Sequence, residues 1–399
     1  MAAARLRLVS SQHGEGKPGA ARTRTPELQP VKIRPQRRSP GWEPEIPGPR
    51  PEFPLWDDYM AIASRVVGRF FNRFRLKHFN YMHPVRLQRD TPRRLRKVYP
   101  VKVSYTDWGP RNAPVLICCG GVANTAMRFS YLASDLAGPF RVVCMDWVGR
   151  GLSAWMAHEG DYSLQTCTEQ LRQMIEHIGV KPVAVLGSSL GGSAAIELAA
   201  QHPKLVHRLI LNDIGPHIPK ARRKRRSETL ARHYVFRDPS DLLRRIGASH
   251  KNDGPVSDDI RFNLTFHQTR WSDLEGGRVY RHDVRAMQAY QRDAQESLNQ
   301  WDMWGRVRCP VLLIHGMRSD ALLPPTIRRM ARNQSVTIMH VPDTGHTPVL
   351  SDRNQTWFIR EWLRDNSCLT REWTVLHAPR RTRFPNIQAP VASAGVTQR

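Results

Sequence analysis

The fold turns on Val183-Ala184-Val185-Leu186-Gly187-Ser188-Ser189-Leu190-Gly191-Gly192. Val183, Val185 and Leu186 make a short apolar, β-branched run of the kind that becomes a buried strand. It leads straight into Gly187-Ser188-Ser189-Leu190-Gly191, a G-x-S-x-G pattern. Beyond it Ala194, Ala195, Ile196, Leu198, Ala199 and Ala200 form a helix-favouring, small-residue surface that Pro203 closes. Strand, sharp turn and helix are the setting of a nucleophile elbow. The turn strains Ser189 and pushes its hydroxyl beyond the end of the sheet, and only residues as small as Gly fit two positions to either side. The pentapeptide alone is weak evidence in a chain with 26 Gly, because chance produces such patterns. The strand before it and the helix after it supply the weight.

Strand and helix alternate on both sides of this stretch. Val101 to Tyr105 alternates in polarity, and Ala113 to Cys118 is a continuous apolar run ending at Cys119-Gly120-Gly121. A helical stretch near Tyr131 to Leu136 leads to the buried run Arg141 to Met145 and the Gly-dense turn Asp146 to Ser153. Leu164 to Ile178 carries apolar residues at helical spacing. Leu209-Ile210-Leu211 is a further strand, ending at Asn212-Asp213-Ile214-Gly215-Pro216. The alternation resumes with Val311 to Ile314, a helix around Thr326 to Arg332, the strand Val336 to Val341 and a last helix from Asn354 to Arg364. Such an order predicts an α/β fold with a largely parallel sheet. Between 217 and 306 the alternation pauses in a long polar section of helical pattern, rich in aromatics and histidines, with Gly276-Gly277 marking a turn.

A serine at its own pKa is a poor nucleophile and needs a base within hydrogen-bond reach, itself oriented by an acid. His346, in Asp343-Thr344-Gly345-His346-Thr347-Pro348, follows the strand ending near Val341. Asp320, in His315-Gly316-Met317-Arg318-Ser319-Asp320, follows the strand ending near Ile314. The order Ser189, Asp320, His346 is the one found with this elbow. Asp213 is a rival acid because it too ends a strand, although Asn-Asp-Ile-Gly-Pro can equally hold a turn. His315 reads as a strand-end residue and Ser188 as a hydrogen-bonded turn residue. Cys118 and Cys119 read as buried packing, having no nearby histidine in sequence.

With these residues in place, the chain resembles the α/β-hydrolase superfamily, specifically capped hydrolases that include bacterial esterases and lactone or C–C hydrolases. The resemblance covers roughly residues 99 to 365. It rests on Gly120-Gly121, Asp146 to Ser153 as a D-x-x-G-x-G-x-S segment, Gly187 to Gly191, the Asp320 loop and Gly345-His346-Thr347-Pro348. One departure is Cys119-Gly120, where many relatives have His-Gly. The resemblance implies an α/β-hydrolase fold, a doubly wound, mostly parallel sheet with a helical cap inserted between the sixth and seventh family strands. It implies a serine hydrolase of a carboxylic ester, lactone or related carbonyl compound, with Ser189, His346 and Asp320 catalytic and Asp213 the alternative acid. The oxyanion would be held by the N–H groups of Leu190 and Gly121, with Val122 in place of Gly121 if the turn shifts by one residue. No metal and no organic cofactor is implied, and the partner is a small ester-like molecule. An acyltransferase on the same scaffold and a non-catalytic ligand-binding homologue are the alternative readings. The cap, with aromatics such as Trp271, is expected to roof the pocket and set acyl selectivity.

Composition bounds the rest. The chain has 399 residues, 30 Pro and a formal net charge of +26 at pH 7, carried overwhelmingly by Arg. No nucleic-acid-binding module accompanies that charge, so it reads as compositional bias and no nucleic-acid partner is expected. The expected organisation is a disordered Pro/Arg-rich tail over 1–54, a basic amphipathic helix and linker over 55–98, a hydrolase core over 99–216 and 307–366, a helical cap over 217–306, and a basic tail over 367–399. Residues 85–97 are Arg-rich and read as solvated. Trp56, Tyr59, Met60, Ala63, Val67 and Phe70 recur at helical steps, so the segment 56–76 either packs on its own domain or lies on a membrane surface, the former being the commoner case. Lys220 to Arg226 reads as a solvated helix face, with attraction of anionic substrates the alternative. Six scattered cysteines without ligand spacing, no secretory apolar run and no 18-residue apolar stretch point to a cytoplasmic location. The start Met-Ala-Ala-Ala-Arg-Leu-Arg keeps an organellar transit peptide as the alternative.

Overall fold

The structure, a computed structural model, describes residues 9–10, 55–84, 97–249, 253–332, 335–365 and 372–378. The expected N-terminal tail, apart from Val9–Ser10, the Arg-rich 85–96 and most of the C-terminal tail lie outside the described residues.

In chain order the principal elements are α1 (Trp56–Gly68), β1 (Phe74–Pro84), β2 (Val98–Trp108), β3 (Val115–Cys119), α2 (Ser130–Leu136), β4 (Arg141–Met145), α3 (Leu164–Ile178), β5 (Val183–Ser188), α4 (Leu190–Gln201) and β6 (Val206–Asn212). Then come α5 (Lys220–Leu230), α6 (Pro239–Ser249), α7 (Asp258–Gln268), β7 (Thr269–Ser272), β8 (Gly277–Tyr280), α8 (Val284–Asp293), β9 (Val311–Gly316), α9 (Pro324–Met330), β10 (Val336–Val341), α10 (Arg353–Arg364) and β11 (Glu372–Thr374).

The central sheet has ten strands among the described residues, in the order Val9–Ser10, β11, β10, β9, β6, β5, β3, β4, β2, β1. From β11 to β4 every neighbouring pair is parallel, whereas β2 is antiparallel to both β4 and β1. A parallel sheet must be covered on both faces, and successive side chains of β3 accordingly enter two different cores. Val115, Ile117 and Cys119 pack toward α3 and α4, while Leu116 and Cys118 pack toward α2 and α10. Helix α3 opens with Ser163, whose hydroxyl accepts the Thr166 N–H at 3.1 Å, and closes at Gly179 in the left-handed region.

Three features differ from the sequence expectation. The 55–98 segment is not helix and linker alone, since β1 pairs with β2 over its whole length as an edge strand. Its side chains alternate only past Lys77, because one face of an edge strand meets water. The insertion between β6 and β9 is not purely helical. Val235–Phe236, β7 and β8 make a three-stranded antiparallel sheet, with Gly276 at φ +62° in the turn that joins β7 to β8. The expected basic C-terminal tail contributes β11 to the sheet, with Val375 buried behind it.

Helix α1 turns its apolar stripe inward. Tyr59, Ala63 and Val66 are buried against Phe236, Leu242, Ile246 and Phe262 of the insertion. Burying a side chain such as Val66 contributes on the order of 1.5–3 kcal/mol, so the stripe is occupied by the protein's own surface. Among the described residues no helix is long and apolar enough to cross a membrane.

Candidate active site

Ser189 sits between β5 and α4 with φ 50° and ψ −115°, a conformation that costs an L-residue energy and persists only where packing enforces it. The packing is visible at the flanking glycines. A Cβ on Gly187 would lie 2.4 Å from the Gly191 carbonyl oxygen, and one on Gly191 would lie 2.3 Å from that of Cys119. The turn therefore brings backbone against backbone, with Ser189 at its tip. The first N–H groups of α4 have no partner within the helix, and that of Leu190 points its dipole toward the same end.

Two loops meet this tip. Asn212, at the end of β6, donates from Nδ2 to Ser188 Oγ at 2.8 Å and to the Pro348 carbonyl at 2.9 Å. It thus ties the elbow to the loop that carries His346. The next residue, Asp213, is fully buried at φ 55°. Its Oδ1 accepts the Gly316 N–H at 2.9 Å, and its Oδ2 accepts the Ser319 hydroxyl and is 2.9 Å from His346 Nδ1. A buried carboxylate on Nδ1 assigns the proton to that nitrogen and leaves Nε2 as the acceptor.

Asp320, expected to hold the imidazole, does not. Its carboxylate is half exposed and reaches Arg222 Nε at 3.3 Å and Arg225 Nη2 at 2.7 Å, both on α5. Burial pushes its pKa up, but Arg222 and Arg225 outweigh that and hold it below the usual carboxylate range. The physical reason lies in the loop after β9: Gly316 and Ser319 turn inward onto Asp213, which sends Asp320 outward to the insertion. That loop donates to the carboxylate on the neighbouring strand instead of supplying one to His346. Lys220 to Arg226 is correspondingly not a solvated face throughout, as Arg222 and Arg223 are buried.

Burial lowers the pKa of His346 from its ordinary value. The Asp213 hydrogen bond opposes this, while the Arg222 and Arg226 charges add to it. The resting imidazole is therefore neutral near pH 7 and able to take a proton.

The loop after β3 is braced from three sides. The Gly120 carbonyl accepts the Trp147 indole N–H at 2.8 Å, the Val122 carbonyl accepts Arg150 Nε at 2.9 Å, and the Gly121 N–H donates to Asn124 Oδ1 at 3.0 Å. Gly121 is thus not the free donor that was expected, because its N–H is already committed. Val122 lines the same cavity as Ser189 and Leu190, and among the described residues no acceptor claims its N–H. Asp146 holds the following turn by accepting the Ala126 and Leu152 N–H groups at 2.6 and 2.9 Å, and burial raises its pKa to about 6.

Other candidates fall outside the site. Burial pushes the Cys118 and Cys119 thiols well up, so neither is a ready thiolate. Burial lowers His315 to about 4, and the residue lies against His340, ring nitrogen to ring nitrogen at 2.9 Å. Trp271 is 44% exposed and packs edge-on against Trp56, away from the cavity. The aromatic rings at the Ser189 cavity are Tyr162 and Tyr290. Sequence reasoning missed Arg150 and Gln170 in the cavity wall, and it reached Arg223 only through the alternative reading of the Lys220 to Arg226 run.

Comparison with known proteins bears on the fold. The family model described as alpha/beta hydrolase fold matches residues 113–352. A 3-hydroxybutyrate-oligomer hydrolase of Cupriavidus necator is 31% identical over 265 residues, which are 64% of this chain and 90% of that protein. Among solved structures, a putative hydrolase from Rickettsia typhi superposes with TM-score 0.67 at 22% identity, covering 73% of this chain and all of that one. An alpha/beta hydrolase from Novosphingobium aromaticivorans follows with TM-score 0.62 at 20% identity, covering 73% and 98%. The matched stretch holds the elbow, both candidate acids and the histidine loop, and the chain belongs to the α/β-hydrolase fold family as a hydrolase.

Proposed function

We propose that the chain is a serine hydrolase of carboxylic esters that works through an acyl-enzyme, with Ser189, His346 and Asp213 as its triad. The observation that carries this reading is a strained serine at the tip of the elbow, whose neighbour Ser188 is tied through Asn212 to the Pro348 carbonyl in the loop of His346, an imidazole whose Nδ1 is held by a buried carboxylate. Ser189 Oγ attacks the carbonyl carbon while His346 Nε2 takes its proton. Asp213 keeps the imidazole in the Nδ1–H tautomer and stabilises the cation that forms. The N–H groups of Leu190 and Val122 receive the developing oxyanion. His346 returns the proton to the departing alcohol, and water then repeats the sequence on the acyl-enzyme. The relative from Cupriavidus necator is named for 3-hydroxybutyrate oligomers, whose links are carboxylic esters, and this supports the same bond type here.

The test is labelling by a fluorophosphonate together with hydrolysis of p-nitrophenyl butyrate. Both are expected in the native protein and absent from Ser189→Ala. Labelling that survives Ser189→Ala would place the nucleophile elsewhere, and a folded native protein that neither labels nor turns over would remove the reading. Product analysis with an added alcohol separates hydrolysis from acyl transfer.

A further inference from the structure

The cavity beside Ser189 lies between α3, α8 and the turn after β4, and one end of it offers donors without acceptors. Arg150 is 4% exposed. Its Nε and Nη1 donate to the Val122 and Val148 carbonyls, each at 2.9 Å, and its Nη2 meets no acceptor among the described residues. The carboxylate in its neighbourhood, Asp283, is taken by the Tyr162 hydroxyl at 2.6 Å and by Arg285 at 2.8 Å. Burial accordingly lowers the Arg150 pKa from its ordinary value, as it does for a cation with no anion in contact.

Gln170 stands in the same wall and is wholly buried. Its Oε1 accepts the Val148 N–H at 3.0 Å, which fixes the amide's orientation and leaves Nε2 as the donor. That Nε2 has no partner. Buried polar groups are ordinarily satisfied, so an orphaned amide beside an unfilled guanidinium N–H calls for a ligand with acceptor atoms. The cation elsewhere in the wall differs. There Arg223, 9% exposed and bound through Nη1 to the Glu296 carbonyl at 2.6 Å, shares the wall with Asp293. Arg223 therefore has a carboxylate beside it in the wall, whereas Arg150 has no anion in contact.

We infer that Arg150 Nη2 and Gln170 Nε2 form a subsite for a carboxylate on the substrate, so that the preferred esters are those of hydroxy acids with a free acid end. The inference rests on the ester-hydrolase reading above and adds the substrate's charge to it. A neutral carbonyl oxygen can accept from both donors but leaves the buried guanidinium without an anion. A carboxylate satisfies both donors and supplies the anion that the buried guanidinium lacks.

The experiment uses full-length Ser189→Ala protein titrated calorimetrically with the ester-linked dimer of 3-hydroxybutyrate, as the free acid and as its methyl ester. The free acid should bind at least about tenfold more tightly, the difference expected of one charge-assisted contact pair. Adding Gln170→Glu keeps an oxygen for the Val148 N–H but places negative charge where the donor stood, and should bring that ratio toward one. Equal affinity for acid and ester, or no binding of the acid, overturns the subsite, and neither result depends on how the second variant folds. Fluorophosphonate labelling of the native protein runs alongside. Labelling without acid preference leaves the hydrolase reading standing and removes the subsite. Acid preference without labelling does the reverse.

Discussion

At the scale of single residues, the two aspartates separate by what they touch. Asp213 has no access to water and gives its oxygens to Gly316, Ser319 and His346. Asp320 is spent on two arginines of α5. Asp213→Asn should keep the shape but favour the wrong imidazole tautomer, a change that costs on the order of 10⁴ in kcat in the serine protease triad. Asp320→Asn should leave most of kcat. Rates on p-nitrophenyl butyrate, from proteins with matched melting curves, check both, and the opposite pattern would return the acid to Asp320. The proposed base adds a pH signature. His346 must be neutral to accept a proton, and its pKa is lowered, so kcat/KM should fall on the acid side only below the ordinary histidine value of about 6.5. The Arg222 charge contributes to that lowering. Arg222→Gln removes a positive charge that disfavours the imidazolium, so the acid limb should move to higher pH. A limb that stays put or moves down contradicts this assignment.

At the scale of elements, the elbow is a packing problem solved by glycine. Gly191→Ala forces a methyl to 2.3 Å from the Cys119 carbonyl oxygen, between β3 and the start of α4 where neither backbone can yield cheaply. Overpacking of this kind costs about 1–3 kcal/mol, and here it should also displace Ser189. Gly138→Ala is the matched control, since a Cβ there meets nothing within 4 Å. Thermal melts should show a clear loss for Gly191→Ala and a change within about 0.5 kcal/mol for Gly138→Ala. If the two melt alike, the close approach is not what shapes the turn.

At the scale of the whole molecule, α1 covers an apolar side of the insertion. Its apolar stripe is covered by Phe236, Leu242 and Ile246, and Arg69 pairs with Asp259 of α7 at 2.7 Å. A chain beginning at residue 70 would strip that cover from the insertion, expose its apolar side and loosen the roof over Ser189. It should melt earlier and lose turnover, while a chain beginning at residue 55 should keep both. Calorimetric melting and kcat on the two truncations decide this. A residue-70 chain as stable and active as the native protein would mean that α1 is decoration.

The sequence by itself determined the order of strands and helices within 99–216 and 307–364, the place of the elbow and the loop that carries His346. Those follow from local physics: period, apolar runs, and glycines where backbone must touch backbone. Tertiary structure alone decided which carboxylate reaches the imidazole. Asp213 and Asp320 both follow strand ends, and because β6 and β9 are neighbours in the sheet their loops arrive at the same place. Which one points inward depends on Gly316 and Ser319 turning onto Asp213 and on α5 capturing Asp320, contacts between segments about a hundred residues apart. The same holds for Gly121, whose N–H is taken by the Asn124 side chain, and for β1, whose polar face hides the strand because an edge faces water. Long-range contacts of this kind leave no period in the chain, so no local pattern could have announced them.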